Sequence, residues 1–164
     1  VVGSFSSNFY GLPRSTLDLD LVGELESDSM PHLAGVLGPR FLLDPQASFE
    51  TATFSVRRVV AVADCPFKIE LFELKDDEYD RERFRRRTKV MLESCSAFIA
   101  TPEDVVITKL RWMGQLNREK DRLDVVGVLV RQNRSIDWSY VEYWCGRHGR
   151  RELLDSIRKS IPDS

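Results

Sequence analysis

Hydrophobic and polar residues alternate most regularly between Leu17 and Val22. Leucine occupies positions 17, 19 and 21, and Asp18 and Asp20 stand between them. Alternation with a period of two is typical of a β-strand that has one buried face and one open face. The pattern therefore predicts a strand whose open face carries two carboxylates, roughly 6.5–7 Å apart.

The rest of the first hundred residues predicts more short strands and little helix. Val1 and Val2 resemble the end of a strand, and residues 4–10 resemble a turn or a short helix. Residues 30–37 predict a weak helix that stops before Gly38 and Pro39. Residues 41–53 predict a loop or short edge element. Strands are predicted at the valine-rich residues 54–63 and at the alternating residues 67–74. A charged helix is predicted at residues 80–87, and two short strands are predicted at residues 89–92 and 98–100.

The last third of the chain predicts helices. Thr101 followed by Pro102 is a strong helix start, with Thr as the N-cap and Pro at the first helical position. We expect this helix to reach residue 113 and to end at Gly114. Asn117 is expected to cap a second helix that reaches about residue 131 and carries three apolar residues on one side: Leu123, Val126 and Val130. Asp137 predicts a third helix to residue 145, and residues 151–161 a fourth.

This order of elements predicts an α+β fold with two regions. Residues 1–100 contain the sheet, and residues 101–164 form a helical region packed on it. A chain of 164 residues with 42% hydrophobic residues is large enough for one domain with a core. Val1 is not an initiator methionine, so we expect further residues upstream, forming an N-terminal helix that this numbering lacks.

Composition narrows the classes of function. The 24 basic and 26 acidic residues give a net charge of −2, which provides no overall attraction to nucleic acid or anionic membranes. No run of 18 apolar residues and no signal peptide is visible. Three widely spaced cysteines predict no disulfide framework and favour a reducing cytoplasm. Two histidines give poor support for a zinc site or a histidine-based triad.

The two aspartates of the alternating strand are candidate metal ligands. Like charges held side by side repel, and a cation or a shared proton relieves that repulsion. Oxygen ligands without His or Cys favour Mg²⁺ or Mn²⁺ over zinc. The alternative is an ordinary solvated strand face, which is the commoner interpretation of an Asp-x-Asp pair taken alone.

The residues around this strand form an ordered set of motifs. In chain order they are Gly3-Ser4, Pro13-Arg14-Ser15-Thr16 and Asp18-Leu19-Asp20. Together they resemble the signature of minimal nucleotidyltransferases of the DNA polymerase β superfamily. The resemblance implies a mixed sheet flanked by helices, with a helical C-terminal part.

Further segments extend the resemblance over nearly the whole chain. Residues 67–72 (FKIELF) stand where such proteins carry their third carboxylate, and residues 101–110 resemble the helix with their signature lysine. Residues 118–124 (REKDRLD) are similar to the R-x-K-D-x-x-D segment of AbiE-type toxin nucleotidyltransferases, and residues 136–141 resemble their C-terminal helix. Taken alone, residues 118–124 are most simply a solvated helix face of offsetting charges.

The resemblance implies an enzyme that transfers a nucleoside monophosphate from an NTP to a hydroxyl acceptor. It assigns catalysis and Mg²⁺ or Mn²⁺ binding to Asp18, Asp20 and Glu70. It assigns nucleotide binding to a further set: Gly3, Ser4, Arg14, Ser15, Thr16, Lys109, Asp121 and Asp124. The acceptor is open among RNA, protein hydroxyls and small molecules. A cognate antitoxin is an implied partner, a membrane is not, and nucleic acid is expected only as acceptor.

One residue departs from the family pattern. The third acid of such enzymes is usually Asp, whereas position 70 is Glu, which is one methylene longer. Magnesium coordination is strict, at about 2.0–2.1 Å in octahedral geometry. The alternative function is therefore a catalytically weak module of the same fold that binds a nucleotide or a partner.

Overall fold

The computed structural model describes residues 1–25, 29–50, 55–116 and 119–161. Helices and strands in these ranges follow the order α1 (Gly3–Tyr10), β1 (Asp18–Gly23), α2 (Met30–Leu37), β2 (Phe41–Leu43), β3 (Ser48–Glu50), β4 (Ser55–Val62), β5 (Lys68–Glu73), α3 (Glu78–Arg86), β6 (Thr88–Leu92), β7 (Cys95–Ile99), α4 (Pro102–Leu116), α5 (Glu119–Gln132), α6 (Trp138–Arg147) and α7 (Arg151–Lys159). The predicted α+β class is confirmed.

Within the described residues, the main sheet is mixed and has five strands. Its path is β1-β5-β4-β2, and β3 also pairs with β4. Strands β1 and β5 are parallel, whereas β4 is antiparallel to β5, β2 and β3. Strands β6 and β7 form a separate antiparallel hairpin. The parallel β1–β5 pair aligns the two acidic strands in register.

Both faces of the central strands contain buried residues. Val60 and Leu71 are buried on one face. On the other face, β5 buries Phe72 together with Glu70. Alternation predicted these strands because one face is apolar, but the second face is not simply solvated. A carboxylate in that position needs partners, since burying an unpaired charge is costly.

The larger core lies in the helical half. Helix α4 packs against α5 and α6, and its apolar residues are almost fully buried with those of the neighbouring helices, including Val106, Ile107, Leu110, Val128 and Val141. Helix α1 packs against β1, α4 and α5. The start of α1 is thereby placed between the acidic strand and the helices that carry Lys109 and Asp124.

Several predicted boundaries are confirmed. Helix α2 has its predicted limits. Thr101 caps α4 as predicted, because its hydroxyl accepts a hydrogen bond from the Asp104 backbone N–H at 3.3 Å. The Asp137 side chain caps α6 by accepting from the backbone N–H of Tyr140. Residues 4–10 are helical rather than a turn, and the predicted edge element at residues 41–53 contains β2 and β3. The predicted cap Asn117 and residues 51–54 lie outside the described residues.

The prediction that Gly114 ends a helix is wrong. Helix α4 continues through Gly114 to residue 116. Glycine costs about 1 kcal/mol in a helix, which packing of the remaining residues can offset. A Cβ atom at Gly114 would lie 2.0 Å from Cζ of Arg150, so the missing side chain gives space to the arginine.

Among the described residues, none of the helices combines the length and the apolar character needed to cross a membrane.

Candidate functional site

The acidic residues of β1 and β5 lie side by side on one face of the sheet. The parallel register pairs Asp18 with Lys68 and Asp20 with Glu70. Neighbouring strands are about 4.8 Å apart, and alternate side chains of a strand share a face. The register therefore groups three carboxylates and one ammonium on two adjacent strands.

Gly3 begins α1 directly against Asp20. The backbone N–H of Val2 donates to the Asp20 carbonyl at 2.8 Å, which ties the start of the helix to β1. Gly3 has a φ of +65°, and a Cβ atom there would lie 1.8 Å from Oδ2 of Asp20. Only glycine combines this backbone conformation with such a close approach. The carboxylate of Asp20 is thus fixed at the N-terminus of α1.

Asp20 is held in a less favourable electrostatic environment than an ordinary aspartate. Burial, followed by repulsion from Glu70 and Asp18, raises the pKa of Asp20 from 3.8 to about 6, although Lys109 and Lys120 counteract this. A raised pKa means that the fold disfavours the charged carboxylate. A bound cation would relieve that repulsion.

Glu70 is 7% exposed and already has two cationic partners. The Lys68 ammonium donates to Oε1 of Glu70 at 2.7 Å and lies 3.4 Å from Oδ1 of Asp18. Nη1 of Arg57, from the adjacent strand β4, is 3.3 Å from both Glu70 oxygens. Hydrogen bonding to Glu70 raises the pKa of Lys68 above its usual value, so the ammonium stays charged at neutral pH.

A second charged cluster joins α4, α5 and the turn before β1. Lys109 is 2% exposed, and its ammonium lies 2.9 Å from Oδ1 of Asp121 and 2.8 Å from Oδ2 of Asp124. The Arg14 guanidinium makes a bidentate contact with Asp124 at 2.7 and 2.9 Å. Burial opposes ionisation of Asp124, but the hydrogen bonds from Arg14 and Lys109 outweigh it and lower its pKa.

The turn between α1 and β1 connects the two charged groups. Nη2 of Arg14 donates to the Ser4 hydroxyl at 2.7 Å. Nδ2 of Asn8 donates to the Arg14 carbonyl at 2.7 Å, and Oδ1 of Asn8 accepts from the Arg14 backbone N–H at 3.0 Å. The Ser15 carbonyl accepts from Nη1 of Arg14 at 3.3 Å, and the Thr16 hydroxyl contacts the backbone of Asp18. Arg14 is consequently fixed between α1 and α5.

The structure thus groups the sequence-predicted residues in two neighbouring clusters. We call Asp18, Asp20, Lys68 and Glu70 the strand cluster, and Ser4, Arg14, Lys109, Asp121 and Asp124 the helix cluster. Gly3 lies where α1 meets the strand cluster, Ser15 and Thr16 line the turn between, and Arg118 lies outside the described residues. The described residues contain no group of three or more His, Cys, Asp or Glu arranged as metal ligands.

Three residues of these surroundings were not predicted. Lys68 stands two positions before Glu70, so strand alternation alone places both on one face and could have identified it. Arg57 reaches Glu70 through the antiparallel register of β4, for which the sequence carries no local signal. Asn8 likewise acts through a turn that the motif pattern does not describe.

Comparison with known proteins adds no assignment to this geometry. A scan of protein-family models gives no match, and no curated protein matches the chain.

Proposed function

We propose that the chain is a metal-dependent nucleotidyltransferase that transfers a nucleoside monophosphate from an NTP to a hydroxyl acceptor. The observation that carries this proposal is the alignment of Asp20 and Glu70 on parallel strands, with Gly3 at the N-terminus of α1 against Asp20. Carboxylates beside a helix N-terminus combine a potential cation site with backbone groups suited to phosphate. The resemblance of the motifs to minimal nucleotidyltransferases supports the same assignment.

The donor chemistry suits Mg²⁺ or Mn²⁺, although the described residues do not arrange three such donors as a ready metal site. Carboxylate oxygens are the preferred ligands of these ions. Burial, and then repulsion from Glu70 and Asp18, raises the pKa of Asp20, and a cation would relieve that repulsion. Asp18 and Asp20 would hold the ion, whereas Glu70, which the resemblance also assigns to the metal, is paired with Lys68 and Arg57. When bound, it would neutralise phosphate charge and polarise the oxygens around the reacting phosphorus.

The chain's own residues supply orientation and positive charge. Asp121 and Asp124 hold the Lys109 ammonium, and Lys109 lines the same small cavity as Gly3 at the start of α1. Arg14 and Ser4 face the same end of α1 and would contact the outer oxygens of the triphosphate. The exposed Lys120 is close enough to act on Asp20 electrostatically and would add a further contact.

The reaction joins the acceptor oxygen to the α-phosphorus and breaks the bond from that phosphorus to the bridging oxygen of the leaving group. Pyrophosphate leaves with the electron pair of the broken bond. The proton of the acceptor hydroxyl passes to Glu70 or to solvent. The acceptor class remains RNA, protein or a small molecule, and a cognate antitoxin belongs to the same proposal through the AbiE-type likeness.

The test is a labelling screen. Purified chain is incubated with Mg²⁺ and each of four α-³²P-labelled NTPs, with cell extract, total RNA and purified small molecules as acceptors. We expect a labelled product that Asp18→Asn and Asp20→Asn reduce by about 100-fold or more, a loss of about 3 kcal/mol of transition-state stabilisation. The exposed Asp64→Asn is the control and should retain the product. Equal labelling by all three variants would contradict the proposal.

A second candidate function is a nucleotide-binding module with little turnover. The ion pairs of Glu70 with Lys68 and Arg57 favour it, since they engage the carboxylate that would otherwise receive the acceptor's proton. Binding of a fluorescent ATP analogue without transfer to any acceptor in the same screen would support this function over the enzyme.

A further inference from the structure

Helix α1 holds Arg14 at two points that lie one helical turn apart. Nδ2 of Asn8 donates to the Arg14 carbonyl at 2.7 Å, and Oδ1 of Asn8 accepts from the Arg14 backbone N–H at 3.0 Å. Four residues earlier on the same helix, the Ser4 hydroxyl accepts from Nη2 of Arg14 at 2.7 Å. Residues four positions apart share a face of a helix. Asn8 therefore anchors the backbone of Arg14 on the same face of α1 where Ser4 receives its side chain.

The amide of Asn8 connects the last turn of α1 to the turn that leads into β1. One side chain uses its donor and its acceptor on the backbone of a single residue, so it fixes both the distance and the orientation of that residue. Alanine at position 8 would remove both hydrogen bonds and would leave two partly buried backbone groups of Arg14 without these partners. The backbone of Arg14 would then be free to shift relative to α1.

The guanidinium of Arg14 has one buried edge and one open edge. On the buried edge, Nε and Nη2 donate to Asp124 at 2.7 and 2.9 Å, and the Asp124 side chain is 2% exposed. On the open edge, Nη1 donates to the Ser15 carbonyl at 3.3 Å, which is long for such a hydrogen bond. Because a guanidinium carries five N–H donors, an oxygen of a ligand can reach Nη1 while the contact with Asp124 is kept.

A guanidinium that is fixed before the ligand arrives binds phosphate more tightly than a mobile one. An arginine side chain has many rotamers, and a ligand that must immobilise it loses affinity through the entropy of those rotamers. Ser4 and Asp124 hold the side chain of Arg14, but they can do so only where the backbone of Arg14 is correctly placed. Asn8 sets that backbone position.

We propose that Asn8 is a positioning residue for the triphosphate, which acts through Arg14 and determines how tightly the chain binds the outer phosphates of a nucleotide. This inference rests on the proposed function, in which Ser4 and Arg14 contact those phosphates at the start of α1. Asn8 lies near the opposite end of α1 and does not touch the nucleotide in this proposal.

The experiment is a double-mutant cycle on nucleotide binding by the full chain in the presence of Mg²⁺. Fluorescent N-methylanthraniloyl analogues of ATP and AMP (mant-ATP and mant-AMP) are titrated with the wild type, Asn8→Ala, Arg14→Met and the double variant. Asn133→Ala is the matched control, because Asn133 is also half-buried but lines a separate cavity beside Trp138. Circular dichroism and urea unfolding establish that each variant folds. Asn8→Gln, which keeps the amide one methylene further out, takes the place of Asn8→Ala in the cycle if the alanine variant does not fold.

We expect Asn8→Ala to weaken mant-ATP binding by about three- to tenfold, the factor expected when one more rotamer-rich side chain must be immobilised on binding. Binding of mant-AMP should change by less than about twofold, because this analogue lacks the outer phosphates that Arg14 would contact. The double variant should bind mant-ATP as weakly as Arg14→Met alone, since Asn8 acts through Arg14. Asn8→Gln should weaken binding less than Asn8→Ala, and Asn133→Ala should leave it unchanged.

Other outcomes separate this inference from the proposed function. Unchanged mant-ATP affinity in Asn8→Ala, equal losses for mant-ATP and mant-AMP, or additive losses in the double variant would overturn the role of Asn8 and leave the enzyme proposal standing. The expected binding pattern without any labelled product in the transfer screen would support Asn8 as a positioning residue and count against transfer. Absence of mant-ATP binding by the wild type would overturn both.

Discussion

Replacing Asp20 by Asn should stabilise the protein at neutral and alkaline pH. The carboxylate is partly buried beside Glu70 and Asp18, and its pKa is raised from 3.8 to about 6. Because the folded state holds this proton more tightly than the unfolded state, ionisation of Asp20 opposes folding. Asparagine has nearly the same shape and no charge, so it removes the electrostatic cost without creating a cavity.

The magnitude follows from linkage between protonation and folding. Each pH unit of displacement in a pKa is worth about 1.4 kcal/mol, so the full cost of ionised Asp20 is about 3 kcal/mol above pH 6. Because the pKa of Asp20 is higher in the folded protein than in the unfolded chain, raising the pH through this range lowers the free energy of unfolding. Stability is unaffected below pH 3.8, decreases as the pH rises from 3.8 to about 6, and is then constant. At pH 5 the cost is about half the full value.

The assay is urea unfolding followed by tryptophan fluorescence, at pH 5 and pH 8 and without divalent ions. Asp20→Asn should raise the free energy of unfolding by up to about 3 kcal/mol at pH 8 and by about half as much at pH 5. The exposed Asp64→Asn is the control and should change it by less than about 0.5 kcal/mol at either pH. A gain that is the same at both pH values, or a loss at pH 8, would refute the electrostatic argument.

Three further variants test other contacts. Lys109→Met should lower the free energy of unfolding by about 3–5 kcal/mol, because it leaves two buried carboxylates without their shared cation. Lys89→Met is the control for loss of a surface lysine. An equal effect of the two substitutions would contradict the reasoning. Gly3→Ala should lower the free energy of unfolding by about 1–3 kcal/mol, because position 3 has a positive φ and the added Cβ would clash with the Asp20 carboxylate. Gly35→Ala, in an open helical position, is the control and should be neutral or slightly stabilising. Burial, and then a nearby arginine, lowers the pKa of His148 to about 4, so protonating His148 opposes folding. His148→Phe should therefore reduce the loss of stability that occurs as the pH falls from 6.5 to about 4. Urea unfolding midpoints across this range measure the effect, and an unchanged dependence of the midpoint on pH would contradict the prediction.

Helix α5 shows how local pattern and tertiary burial can disagree. On the predicted apolar side, Leu123 and Val130 are exposed and Val126 is half-buried. The buried face instead carries Val125 and Val128 together with Asp124. The sequence contains apolar residues on more than one side of this helix, so periodicity alone cannot select the face. Packing against α4 and α1 selects it, because Lys109 of α4 and Arg14 of the turn after α1 both pair with the Asp124 carboxylate.

The sequence by itself determined the features that depend on neighbours along the chain. Alternation at residues 17–22 is sufficient for β1 and its acidic face, and the Thr101 and Asp137 caps are sufficient for two helix starts, because these signals act within a few residues. Only the tertiary structure decided which charges meet. Arg14 and Asp124 are 110 positions apart, and Arg57 reaches Glu70 through the register of β4. Such pairs depend on how strands and helices pack against one another, and no local pattern encodes that packing.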